Sequence, residues 1–491
     1  MCRTKIYQMF WLVSLVFFAN QTTIFAQQKQ QSVSRILADF TINTRTADIS
    51  DKAFLKAKLA ILDVLGNSMA GYEAPGISVI RKQMEEWGGK DEATVWFSGS
   101  KLPVLSAGFV NSAMAHALDF DDTHRPTNSH PSVVIIPTAL SVGELTNASG
   151  LEILDAIVIG YEITNSIGTQ FVKYRKHGAF LPSSVIVGFG ATAVACRIMG
   201  LSVDETINAF GIYYAHASGN RQALFDHTLT KRIQPAIAVK SAIFAATLAQ
   251  KGFTGPEDIF LSKAGLLRIY GGNLVDEMPP AHDFNKGASN WAIEKTAFKK
   301  YSACGASHPI IEAAISLSKK YNLTLEVIDS IELFGIFVGS GYVDNPWVDT
   351  DNPQPLAQFS APYQVVSAIK NQEFGPSEIT EKRILEDKEV SELAQKVMIK
   401  YEKEWGGSYP GGQAIRITTT DGRVLAANGT PQEMFDPDLF SMTDITDKFL
   451  ASVKLSGLCK TKQAEKIVEL VTDFEKLEHI DEFIANHLIF F

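Results

Sequence analysis

Fifteen residues, His116 to His130, carry three acids (Asp119, Asp121, Asp122), a threonine (Thr123) and three histidines (His116, His124, His130). Apolar sequence flanks them on both sides, within residues 111–140. Acids and imidazoles in a segment fit for burial suggest a site that moves protons, because burial and neighbouring charge tune such groups towards neutral pH. The competing reading is a polar loop between two core helices. Asp119 and Thr123 are four residues apart, which on a helix sets them one turn apart on one face. His130 follows the Arg125-Pro126 break, so the chain can turn back towards them. Each also has a structural reading: Asp119 as a helix cap or buried hydrogen-bond partner, and His130, ahead of Pro131, as a ligand of helix-opening backbone.

The words NSAMAHALDFDDTH at 111–124 and HPSVVIIPTAL at 130–140 resemble the MmgE/PrpD family, which includes 2-methylcitrate dehydratases, cis-aconitate decarboxylases and iminodisuccinate epimerases. Further matching words follow in the family's order and cover most of the chain after residue 35. The resemblance implies active-site roles for Asp119, Thr123 and His130, although one extra residue separates Thr123 from His130. It places Lys231 and Arg232, in TLTKRIQPAIAVKS at 228–241, on substrate carboxylates. Arg suits bidentate binding, and Lys supplies a point charge or a tunable proton donor. Gln234 and Ala236 stand where the family has His and Gly, and both are expected near the substrate. In FKKYSACGASHPIIEA at 298–313 the resemblance makes Lys299 a second cation and brings Cys304 and His308 to the substrate. His308 could equally serve the helix opening at Pro309, and Cys304 reads as a small buried residue, not a nucleophile. Tyr363, in LAQFSAPYQV at 356–365, is a further carry-over.

The main departure is at Leu181. The family word runs Gly-Phe-His-Pro-Thr-Ser, but here Phe180 is followed by Leu181, which can neither accept nor donate a proton. His177 is displaced by four residues. Family substrates are short di- or tricarboxylates with an acidic C–H, whose removal makes an enolate-like charge that fixed cations stabilise. The expected activity is therefore a cofactor-independent lyase of the dehydratase type, with no metal. His130 acts as base or acid, oriented by Asp119, and Thr123 bonds the substrate. The alternatives are an epimerase or isomerase, or an exported carboxylate-binding protein without turnover. The resemblance also implies a homodimer.

Composition agrees. A net charge of −9, with no long Lys/Arg run, argues against nucleic acid as a general partner. Arg3 and Lys5, the apolar run 9–19 and a small-residue site before Gln27 read as a cleavable signal peptide over residues 1–26. The expected location is the bacterial periplasm or outside the cell, with no stable membrane span once the signal is removed. The cysteines form no CxxC pair, so neither a zinc knuckle nor an iron–sulfur cluster is indicated. One disulfide is possible among Cys196, Cys304 and Cys459.

Apolar residues recur at helical spacing from 33 to about 272. Small residues crowd 188–200, which implies close helix packing. β-branched runs then appear: a strand over 327–338 and a hairpin over 413–428 turning at Asp421-Gly422. Helices are expected at 309–321 and 390–402. The fold class is mainly α. A large helical domain at 33–275 is joined by returning C-terminal helices at 431–491, and a smaller α+β domain spans 276–430.

Overall fold

The computed structural model describes residues 31–174, 178–271, 290–336, 342–400, 412–429 and 435–490. The signal segment, His177 and most of the connection at 270–280 lie outside these residues.

The helical domain opens with α1 (Val33–Asn43) and α2 (Asp51–Gly71), each started by a serine whose hydroxyl accepts from the first turn. Then come α3 (Ile77–Trp87), a two-residue ladder of β1 (Ala93–Thr94) with β2 (Lys101–Leu102), and α4 (Val104–His116). α4 is buried without a break from Ala107 to His116. A helix apolar on every side must be surrounded, and α4 packs against α2, α5 (Ser132–Thr146) and α9 (Thr230–Gln250). Between α5 and α9 lie α6 (Gly150–Tyr174), α7 (Val187–Ile198) and α8 (Val203–Tyr214). α6 and α7 meet backbone to backbone: a Cβ on Gly190 would lie 2.4 Å from the Gly160 carbonyl. The small residues of 188–200 do produce that close approach.

A second short ladder joins the domains. β3 (Thr123–His124) pairs antiparallel with β4 (Thr296–Ala297), two residues ahead of Lys299. The smaller domain holds a four-stranded sheet ordered β6-β5-β7-β8. Its strands are β5 (Ile328–Phe334), β6 (Met398–Lys400), β7 (Gln413–Thr419) and β8 (Val424–Gly429). β5 and β6 run parallel; the other pairs are antiparallel. Gly422 takes φ +85° at the hairpin turn, where a side chain would be strained. α10 (His308–Tyr321) packs on β7 and β8, and α11 (Ala361–Asn371) on α10. The helix expected over 390–402 is corrected: it ends at Ala394, and 398–400 instead pairs with the free edge of β5. Edge pairing satisfies those backbone groups where local propensity alone would continue the helix.

The last helices return to the first domain. α12 (Met442–Ser456) lies along α2, with Phe449 against Gly66, and α13 (Thr461–Thr472) also touches α2. α14 (Ile480–His487) packs on α5, where Ile480 faces Gly143. The fold class is thus the one expected. Cys196, Cys304 and Cys459 are free thiols, so no disulfide joins them. Among the described residues, no helix is long and apolar enough to cross a membrane.

Candidate active site

The site is built where α4 ends. Buried carbonyls need partners, and four consecutive ones past His116 find them on distant side chains. Gln358 Nε2 donates to the Ala117 carbonyl at 2.9 Å and Ser302 Oγ to Leu118 at 2.6 Å. Lys299 Nζ donates to Asp119 at 2.9 Å and Lys448 Nζ to Phe120 at 2.7 Å. Both domains therefore hold the loop. Asp119 is drawn into the left-handed region at φ +51°, which Asp tolerates better than most residues. This corrects the expectation that Asp119 and Thr123 share a helix face. The helix has ended by then, and Thr123 lies on β3 with a buried hydroxyl that has no partner.

The Asp119 carboxylate forms ion pairs with both lysines: one oxygen accepts a hydrogen bond from Lys231 Nζ, and the other lies 2.9 Å from Lys299 Nζ. Lys231 comes from the first turn of α9 and Lys299 from the stretch after β4. Burial would raise the Asp119 pKa, but the two ammoniums outweigh it and hold the carboxyl well below its usual range. Burial pulls Lys299 down, yet Asp119 and Asp121 together leave it raised. Asp119 and Lys299 are thereby held in their charged forms at neutral pH.

Two imidazoles share Asp121. His116 Nδ1 lies 3.1 Å from one carboxylate oxygen and His130 Nδ1 3.5 Å from the other, with ring centroids 5.5 Å apart. His130 Nδ1 also lies 2.6 Å from the Asp122 carbonyl. A carbonyl only accepts, so Nδ1 carries the proton and Nε2 keeps its lone pair. His130 is therefore oriented by Asp121 and the Asp122 backbone, not by Asp119, whose oxygens hold the lysines. Burial, then Lys299, pushes His130 down to about 4, although Asp121 and Asp119 pull upward. The ring is a neutral base, with 24% of its side chain exposed. Asp122 is pushed up to about 7 by burial and then by Asp121, against hydrogen bonds from Ser132 and Tyr161.

His116, Asp119 and Asp121 each offer a ligand atom within 4.8 Å of the others. Every one of those carboxylate oxygens already faces an ammonium or an imidazole, so a metal ion would have to displace a lysine. The arrangement suits an incoming anion better than a cation.

Several expected contacts fall elsewhere. Arg232 donates to the Pro75 carbonyl at 2.6 Å and to Gln354 at 3.2 Å, and burial lowers its pKa to about 10. It ties α9 to the turn after α2. The Tyr363 hydroxyl donates to the Glu378 carbonyl at 2.7 Å and its ring lies against Trp347 at a 32° tilt, contacts within the smaller domain's core. His308 opens α10 and donates to the Ala303 carbonyl at 3.3 Å, its pKa pushed down to about 3 by burial. Cys304 feels Asp119 and Lys299, but burial raises its thiol pKa. Gln234 pins both backbone groups of Asn220, and Ala236 is fully buried. Leu181 is half-buried two residues ahead of Ser183, whose hydroxyl accepts from the His130 N–H at 2.9 Å. The departure thus sits beside the candidate base.

Sequence reasoning left His116, Asp121 and His227 without roles. His227 and Lys231 line one narrow cavity together with Gln358 and Phe359. His227, four residues ahead of Lys231, has a buried Nδ1 without a partner and φ +51°. That spacing was the available signal.

Fold and site together define a two-domain, mainly helical protein with titratable groups and ammoniums enclosed at its domain junction. The chain belongs to the MmgE/PrpD family: the family's N-terminal domain matches residues 35–276 and its C-terminal domain residues 301–474. It is 26% identical to cis-aconitate decarboxylase of Mus musculus over 467 residues, 92% of each chain. It is 24% identical to cis-aconitate decarboxylase of Homo sapiens, over 91% of this chain and 93% of that one. Against 2-methylcitrate dehydratase of Salmonella typhi it is 22% identical, over 92% of this chain and 96% of that one.

Proposed function

We propose that this protein is a lyase acting on a small tricarboxylate, with no cofactor, through proton transfer at a carbon next to a carboxylate. The observation that carries the reading is the pairing of Lys231 and Lys299 on Asp119 beside the oriented, neutral His130. Relatives named as acting on aconitate and methylcitrate support the substrate class.

In dehydration, His130 Nε2 takes the C–H proton. The electron pair forms a C=C bond as the C–O bond breaks, and the departing hydroxide takes the proton back from the His130 imidazolium and leaves as water. In decarboxylation, the C–C pair released with CO2 is protonated on carbon by the imidazolium. Both routes build charge on a carboxylate, which the largely buried Lys231 and Lys299 stabilise. The positive charge that a Lewis acid would supply comes from the ammoniums. A bound polycarboxylate also adds negative charge near His130, which raises its proton affinity from its low unliganded value.

Replacing His130 by Ala tests this. Turnover of cis-aconitate or 2-methylcitrate should fall by about 10²–10⁴-fold, while calorimetry still detects substrate binding. Unchanged turnover would remove His130 from the mechanism.

Leu181 favours a second reading, a carboxylate-binding protein without turnover. In that case the wild type binds tricarboxylates and leaves them intact, and Leu181→His gains dehydratase activity. An epimerase would instead return the substrate with inverted stereochemistry. The basic and apolar run at 3–26 supports export, and mass spectrometry of the mature chain should find Gln27 first. Homodimerisation, supported by family resemblance, is read by light scattering.

A further inference from the structure

Next to the loop that carries Asp119, a cleft of about 810 Å³ is lined by residues of both α12 and α10 and by Phe120 and Lys299. Its size is within the range of small-molecule sites. α10 presents Glu312, Ile315 and Lys319 to it, and α12 presents Lys448, Ala451, Ser452 and Leu455, each set at helical spacing on one face. Phe374 and Phe440 add apolar wall.

The charges around this cleft are uneven. Five lysines face three glutamates, on a chain whose net charge is −9. Three lysines are already engaged: Lys299 with Asp119, Lys300 with Glu312 at 2.7 Å, and Lys448 with Asp63 at 2.6 Å. Glu378 is buried and accepts from the Gly375 N–H and the Ser377 hydroxyl. Lys319 and Lys454 are exposed and form no salt bridge among the described residues, leaving Glu373 as the opposing unpaired acid. Glu312, already bonded to Lys300, also draws on Lys319 at longer range. Two ammoniums without a salt bridge beside apolar wall suit an anion with an apolar body, since the charge meets lysine and the body leaves water.

The cleft also reaches the site's support. Lys448 spans from the cleft to the Phe120 carbonyl, next to Asp119. We infer that this cleft is a second anion site, taking a small organic anion with an apolar body, and that Lys448 passes its occupancy to the loop that carries Asp119. Nothing in the inference depends on the proposed reaction.

The test is calorimetry of the full chain with 1-naphthyl phosphate, with 1-naphthol and inorganic phosphate as separate arms. One ligand should bind per chain, with both arms at least tenfold weaker. Lys319→Ala/Lys454→Ala should weaken binding tenfold or more while the chain still unfolds cooperatively near the wild-type melting temperature, because both side chains are exposed and neither forms a salt bridge among the described residues. Lys231→Ala should leave the affinity unchanged. Equal affinity in the double variant, loss of affinity in Lys231→Ala, or equally tight binding of naphthol or phosphate alone overturns the site. Amide exchange across 118–122 should slow when 1-naphthyl phosphate is bound; unchanged exchange at saturation overturns the link through Lys448.

Discussion

Asp119 is the residue on which the site's charges turn. It holds two ammoniums in a buried place, so Asp119→Asn leaves Lys231 without its ion-pair partner and Lys299 with only Asp121 as counter-charge. Breaking a buried pair by removing one partner costs about 3–5 kcal/mol. We expect a loss of that order in urea denaturation, together with loss of turnover; a loss under 1 kcal/mol would mean that the lysines find other partners. The histidines make a separate, pH-dependent claim. His124 and His130 are pushed down to about 4, and His308 to about 3, each chiefly by burial. These folded values lie below the unfolded value near 6.5, so the unfolded chain binds more protons between about pH 4 and 6.5, and stability drops as pH falls through that window. Asp122, raised to about 7, acts in the opposite sense: the stability it contributes is present at low pH and lost as pH rises through 7. His124 bonds Thr127 and carries no proposed chemistry. His124→Gln should therefore reduce the stability lost between pH 7.5 and 5 by about 2 kcal/mol. An unchanged loss would show that its burial does not matter. The composition of this cluster was legible in the sequence, because acids and histidines between apolar runs have few other uses. The pairing was not. Spacing on an assumed helix put Asp119 beside Thr123, and the family reading gave Asp119 to His130, whereas the backbone leaves the helix at His116 and it is Asp121 that faces His130.

At the scale of elements, the site depends on loop carbonyls being satisfied from outside. Residues from both domains meet four consecutive carbonyls, and no local pattern announces that. Helices were easier to read, because period and caps are local; the return of 398–400 to a sheet edge was not, because its partner β5 is over sixty residues away. The close contact of α6 with α7 was legible from small residues alone. It can be tested directly, since a Cβ on Gly190 meets a backbone carbonyl that cannot rotate away. Gly190→Ala should destabilise the fold by about 1–3 kcal/mol through overpacking. A neutral effect in thermal unfolding would mean that the helices separate freely.

At the scale of the whole molecule, the chain ends where it began. α12 lies on α2, and Lys448 is buried against Asp63 while it holds the Phe120 carbonyl. Burial lowers the pKa of Lys448 and raises that of Asp63, each partly offset by the other. Lys448→Met should cost about 3–5 kcal/mol by leaving Asp63 unpaired, and Asp63→Leu added to it should recover much of the loss. If the second change recovers nothing, the pair does not act as a unit. The central claim remains that these converging elements enclose a hollow that removes a proton next to a carboxylate. Incubation with a panel of di- and tricarboxylates in deuterated water, followed by NMR, tests it most directly. The account predicts deuterium at a carbon adjacent to a carboxylate in at least one tricarboxylate, abolished by His130→Ala. A panel that binds and remains free of deuterium would contradict it.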